Sequence, residues 1–101
     1  MRPLYYRRDG TPYEGPTATM DWAADFENRT PVGQDEIGDV LVSTVWLGLD
    51  HNCSDEGPPL IFETMVFGES LDGEKRRYST EAEAIAGHAE MVARVRAERK
   101  E

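Results

Sequence analysis

VLVSTVWLGL at residues 40–49 and LIFETMVF at residues 60–67 decide how this chain folds. Both runs are rich in β-branched and aromatic residues, neither contains proline, and turn-forming residues bound each of them. The intervening DHNCSDEGPP is polar and closes with two prolines, so the runs read as an antiparallel hairpin. With Trp46 opposite Phe62, Thr44 meets Thr64 and Val42 meets Val66 on one face. Leu47 with Ile61, Val45 with Glu63, Ser43 with Met65 and Leu41 with Phe67 then occupy the other. Both faces are largely apolar, so the hairpin belongs at the centre of a sheet, or one face is covered by a partner.

Working outward, residues 80–97 carry the best-marked helix. Thr80 and Glu83 form a capping box, Glu81 and Glu83 suit the positive end of the helix dipole, and the arginines toward the C-terminus suit the negative end. Ala84, Ile85, His88, Met91, Val92 and Val95 make its apolar stripe, and the polar last turn from residue 98 onward is expected to fray. A shorter helix is expected over residues 18–28, capped by Thr19 and carrying Trp22 and Phe26 at i and i+4, at a sheet edge or on the second face. Residues 3–14 read as an N-terminal hairpin in which Asp9-Gly10 supplies the positive φ angles of the turn. Residues 28–39 and 68–77 read as polar connections. The expected fold is α+β: one domain with an antiparallel sheet of three to four strands and the C-terminal helix packed on one face.

Charge narrows the function classes. Eleven basic residues against twenty acidic give a net charge of −9, which argues against direct nucleic-acid or anionic-membrane binding. Residues 30–74 hold ten Asp and Glu and no Lys or Arg. A single cysteine allows no internal disulfide, and the N-terminus shows neither a secretion signal nor a membrane span, so a cytoplasmic location is expected.

Four groups of residues are candidate sites. Asp50, His51, Cys53 and Asp55 are possible metal ligands by type, but their spacing fits neither a zinc pattern nor a calcium loop. A polar turn, with Asn52 left-handed and Pro58-Pro59 fixing re-entry, accounts for the same residues and is the favoured reading, and no metal or cofactor is expected. Asp50, His51, Asp55 and Glu56, with the aromatic Tyr5 and Tyr6, are candidate protein contacts. Arg76, Arg77 and Ser79 stand just before a helix N-terminus and are candidate anion ligands. If the C-terminal helix crosses the face of Leu47, Ile61 and Met65, then Glu63, Ser43 and His88 converge as in general-base catalysis. A mutually satisfied polar cluster is the alternative.

The blocks VSTVWLGLDHN, GPPLIFETMVFG and RYSTEAEAIAGHAEMV together resemble a family of small uncharacterised proteins of bacteriophages and actinobacterial prophages. The likeness spans residues 38–95. It implies an accessory protein expressed in a host cell and brings no established activity with it. The leading expectation is therefore a non-enzymatic protein that binds a host protein with a basic surface, in a host-takeover or anti-defence role, with nucleic-acid mimicry as a sharper form. An oligomeric binder or sponge for a small anionic ligand such as a nucleotide is the alternative. A hydrolase using Glu63 and His88 is third.

Overall fold

The computed structural model describes residues 2–52, 54 and 56–99. Its elements are α1 (Ala18–Glu27), β1 (Gly33–Ile37), β2 (Val40–Trp46), β3 (Phe62–Phe67), β4 (Lys75–Tyr78) and α2 (Glu81–Arg99). The strands form an antiparallel meander in the order β1-β2-β3-β4, with α2 packed on one face. The fold is α+β. No helix among the described residues is long and apolar enough to cross a membrane.

The central hairpin has the register its side chains demand, with Trp46 opposite Phe62, Thr44 opposite Thr64 and Val42 opposite Val66. Those six side chains are buried. Along β2 burial alternates strictly, because odd-numbered residues from Leu41 to Val45 point to the far face. The covered face is therefore the Val42–Thr44–Trp46 face, and α2 does not cross Met65 as the sequence reading supposed. The edge strands are GQDEI and KRRY, two segments expected to be connections; each pairs with a central strand that supplies the apolar side chains.

Helix α2 begins with the expected box: the Glu83 amide donates to Thr80 Oγ1 at 3.1 Å and the Thr80 amide donates to Glu83 Oε1 at 3.1 Å. Ala84, Gly87, Met91 and Val95 form its buried stripe, whereas Ile85 is exposed on the outer side. The helix runs through Arg99, which pairs with Glu69; the end of the turn expected to fray, residues 100–101, lies outside the described residues.

The N-terminal segment is less regular than a two-stranded hairpin. Only isolated bridges form, Tyr6 with Pro12 and Tyr5 with Leu49. In its turn Gly10 alone has a positive φ, of 93°, while Asp9 does not. Helix α1 packs Trp22 and Phe26 against Trp46 at the end of the face that α2 covers, not on the second face. Its N-cap is Thr17, whose hydroxyl donates to Asp21 at 2.9 Å instead of capping an amide.

Candidate functional site

The expected catalytic trio does not assemble. His88 faces the sheet from α2, while Ser43 and Glu63 project from the opposite face. Glu63 is held by Arg77 Nε at 3.0 Å, and Ser43 accepts from Gln34 Nε2 at 3.3 Å.

What surrounds His88 is a hydrogen-bonded chain crossing all four strands. Its Nε2 lies 2.7 Å from Asp35 Oδ1 on β1, and its Nδ1 lies 2.7 Å from Thr44 Oγ1 on β2. Thr44 Oγ1 meets Thr64 Oγ1 at 2.6 Å, and the Tyr78 hydroxyl donates to Thr64 at 3.1 Å. A carboxylate accepts, so His88 carries its proton on Nε2; Nδ1 then accepts from Thr44, Thr44 from Thr64, and Thr64 from Tyr78. Every group is satisfied in one direction. Glycines admit the rings at two places: a Cβ at Gly87 would collide with the Tyr78 ring, and one at Gly33 with the His88 ring. The order carboxylate–imidazole–hydroxyl is that of an acyl-transfer triad, but both threonines are fully buried with their hydroxyls turned inward. No substrate reaches Thr44, so the chain ties helix to sheet.

The loop after β2 is organised from within. Asp50 Oδ1 accepts from the Asn52 amide at 2.8 Å and the Leu60 amide at 3.0 Å, and Asp50 pairs with Arg2 at 3.1 Å. Asn52 donates to the carbonyls of Glu56 and Pro58, each at 3.0 Å, without a left-handed backbone; Gly57 holds the positive φ. Asp50 is thus a turn anchor and His51 is half-buried, while Glu56 is exposed. Candidates Cys53 and Asp55 lie outside the described residues. No three of the described His, Cys, Asp and Glu residues are grouped to hold a metal ion. Tyr6 is buried in the core, and Tyr5 stacks on Trp22 with centroids 4.7 Å apart, so the expected aromatic contact surface is largely internal.

Arg76 and Arg77 diverge to opposite faces of β4. Arg76 pairs with Glu90 at 3.1 Å and Arg77 with Glu63, and the Ser79 amide points at Glu83 Oε1 at 3.3 Å. The three do not converge on an anion.

Three other arginines do converge. A cleft of about 430 Å³ opens between the N-terminal turn and the end of α1, with Arg7, Arg8 and Arg29 around it and Tyr13 and Trp46 in its wall. Arg8 is fixed as a fork, with Nε and Nη2 each 2.9 Å from the Glu81 carboxylate and Nη1 donating to the Thr30 carbonyl at 2.8 Å. Arg7 lies 4.5 Å over the Tyr13 ring and Arg29 lies 3.8 Å over the Phe26 ring. Each spends one amino group on a nearby carbonyl, Pro12 or Phe26, and keeps most of its N–H donors for a ligand. Both guanidinium groups lie within cation–π distance of their rings, which favours these positions.

Acceptors share the rim. Asp25 accepts from the Tyr13 hydroxyl at 2.7 Å, and burial together with that bond raises the phenol well above its ordinary range. Asp9 is held below the usual carboxylate range by its bonds from the Thr11 hydroxyl and amide. Sequence reasoning missed the cleft. Its signal was nevertheless present: residues 1–74 contain four basic residues, Arg2, Arg7, Arg8 and Arg29, and three of them meet here.

The Arg8–Glu81 pair couples the cleft to α2 and carries a pH prediction. The Arg8 bond lowers the Glu81 carboxyl below its ordinary 4.5. Its contribution is present above that value and lost as pH falls through the lower folded one. The contribution of Arg8, whose guanidinium is raised by its bond to Glu81, is lost only at strongly alkaline pH. Wild type should therefore lose more stability than Arg8→Gln on acidification below about pH 4.5, by less than ~1 kcal/mol because the pair is part-exposed. Urea midpoints at pH 6 and pH 3 measure the difference; parallel pH profiles would rule the pair out.

Comparison with protein-family models, curated proteins and solved structures finds no match.

Proposed function

We propose that this protein is a non-catalytic binder of a small phosphorylated ligand of about nucleotide size, held in the cleft of Arg7, Arg8 and Arg29. One observation carries the reading: in a chain of net charge −9, three guanidinium groups surround one ligand-sized cleft. Arginine forks suit phosphate oxygens, whereas Asp25 and Asn28 on the same rim suit the hydroxyl and amino donors of a nucleoside. Asp9 and Asp25 share the lining and Glu81 neutralises Arg8, so Arg7 and Arg29 are the guanidinium groups left to meet an anion. The resemblance to small phage proteins read from the sequence is the ground for an accessory role, in which sequestering such a ligand in an infected cell requires no chemistry. The protein-contact reading has less support, since Asp50 and Tyr6 are engaged internally.

Calorimetric titration with nucleoside 5′-monophosphates and diphosphates, inorganic phosphate and an uncharged nucleoside tests this. Phosphorylated probes should bind and the bare nucleoside should not, and affinity should fall as salt rises. Arg7→Ala and Arg29→Ala should each weaken binding at least ~10-fold, about 1.4 kcal/mol, the loss expected for a charge-assisted hydrogen bond. Absence of binding by every phosphorylated probe at millimolar concentration, or binding unaffected by both substitutions, would defeat the proposal.

A further inference from the structure

We infer that the open face of the sheet is the contact between two copies of this chain. Side chains on the solvent face of a two-layer fold are expected to be polar. Here the two central strands present Leu41, Val45, Met65 and Phe67 on that face, and none belongs to either buried core cluster. All four are at least part-exposed, and Phe67 is 46% exposed. Exposed apolar patches of this kind mark contact surfaces.

The charges beside the patch select the occupant. On one side of the patch β1 places Glu36 on this face, beside Leu41. On the other, β4 places Lys75 and Arg77 there, beside Met65 and Glu63. The face thus carries Glu36 at one edge and Lys75 at the other, with a mainly apolar middle that also holds Ser43 and a Glu63 already paired with Arg77. A two-fold axis parallel to the strands turns this pattern onto its own complement: the β1 edge of each copy lies over the β4 edge of the other, and the apolar strips meet. An axis across the strands would set Glu36 over Glu36 and is disfavoured. Face-to-face sheets pack about 10 Å apart at roughly 30°, within reach of Glu and Lys side chains on facing edges. Four strands about 4.8 Å apart and roughly 20 Å long give a face of about 400 Å². Twice that, about 800 Å², falls short of the ~1,200 Å² of a stable specific interface, so the contact is a weak, reversible one. At physiological salt the repulsion between two copies of net charge −9 is screened, while pairs in contact are not.

Sedimentation velocity at about 0.15 M salt over a concentration series tests this. The mass should rise from the 11.4 kDa monomer toward twice that value. Phe67→Asp should hold the protein monomeric with an unchanged circular dichroism spectrum, since the side chain is exposed. Glu36→Lys and Lys75→Glu should each raise the dissociation constant several-fold, and the double variant should recover most of that loss. Recovery separates a second copy in this orientation from any other occupant. A monomer at every concentration, a dimer indifferent to Phe67→Asp, or a charge swap that fails to recover would overturn the inference.

Discussion

Trp46→Ala is expected to lower folding stability by about 3–5 kcal/mol, the largest effect expected of any single substitution in this chain. Trp46 is 2% exposed and lies where the sheet, α1 and the N-terminal segment meet. Its ring stands against Phe26 at a centroid distance of 6.3 Å, and its Nε1 donates to the Tyr6 carbonyl at 3.2 Å. Truncation removes the ring, leaves a cavity among Tyr6, Tyr13 and Phe62, and strips that carbonyl of its donor. A domain of this size has about 5–15 kcal/mol in total, and each kilocalorie lowers Tm by roughly 4–8 °C. Trp46→Phe keeps most of the ring and loses only the N–H, so about 1–2 kcal/mol is expected. Phe67→Ala, at an equally apolar residue on the open face, should cost well under ~1 kcal/mol in the monomer. Urea unfolding monitored by circular dichroism checks all three. A loss below about 1 kcal/mol for Trp46→Ala would mean that the N-terminal layer is not packed onto the sheet as described. The same variant should also lose ligand binding, because Trp46 walls the cleft.

The contrast between Trp46 and Phe67 shows what the sequence could and could not reveal. Register was legible because residues 40–46 and 62–67 are β-rich runs unbroken by Pro or Gly, and setting Trp46 opposite Phe62 aligned Thr44 and Val42 with Thr64 and Val66. Which face lies inward was not legible, because both carry large apolar side chains. The deciding residues are Thr44 and Thr64, which enter the core only because His88 and Tyr78 satisfy their hydroxyls. That pairing depends on α2 placing His88 over β2, a contact 44 residues distant in sequence. The edge strands were unreadable for a different reason. GQDEI and KRRY have low β-propensity and are strands because neighbours with a strong pattern recruit them, and charged residues are what edges tolerate. The arginine cleft was legible only as a charge map. Arg7 and Arg29 approach each other through the packing of α1 on Trp46, which no local pattern encodes.

Thr44→Val is the second substitution expected to cost substantially, about 2–3 kcal/mol, although it preserves shape and adds no bulk. It removes the middle link of the Asp35–His88–Thr44–Thr64–Tyr78 chain. His88 Nδ1 then loses its donor and the Thr64 hydroxyl loses its acceptor, both in a region with little access to water. His88→Leu should cost less, about 1–2 kcal/mol, since Thr44 keeps Thr64 as a partner and Asp35, part-exposed at the sheet edge, turns to solvent. The informative variant is the double. With leucine in place of His88, the valine substitution has no imidazole nitrogen to leave unpaired and strands only the Thr64 hydroxyl, so Thr44→Val/His88→Leu should cost about 1 kcal/mol more than His88→Leu. The coupling between the two positions should be about 1–2 kcal/mol in its favour. Strictly additive losses would show that the 2.7 Å contact is incidental to stability. Imidazole nitrogen shifts give a second readout, because the chain requires the proton on Nε2 facing Asp35; a proton on Nδ1 would reverse the bond to Thr44. Neither substitution should alter nucleotide binding, because the chain lies on α2 and the sheet interior and none of its residues lines the cleft. That separation distinguishes a structural tie from the proposed ligand cleft: the network holds α2 on the sheet, and Glu81 at the start of α2 holds Arg8.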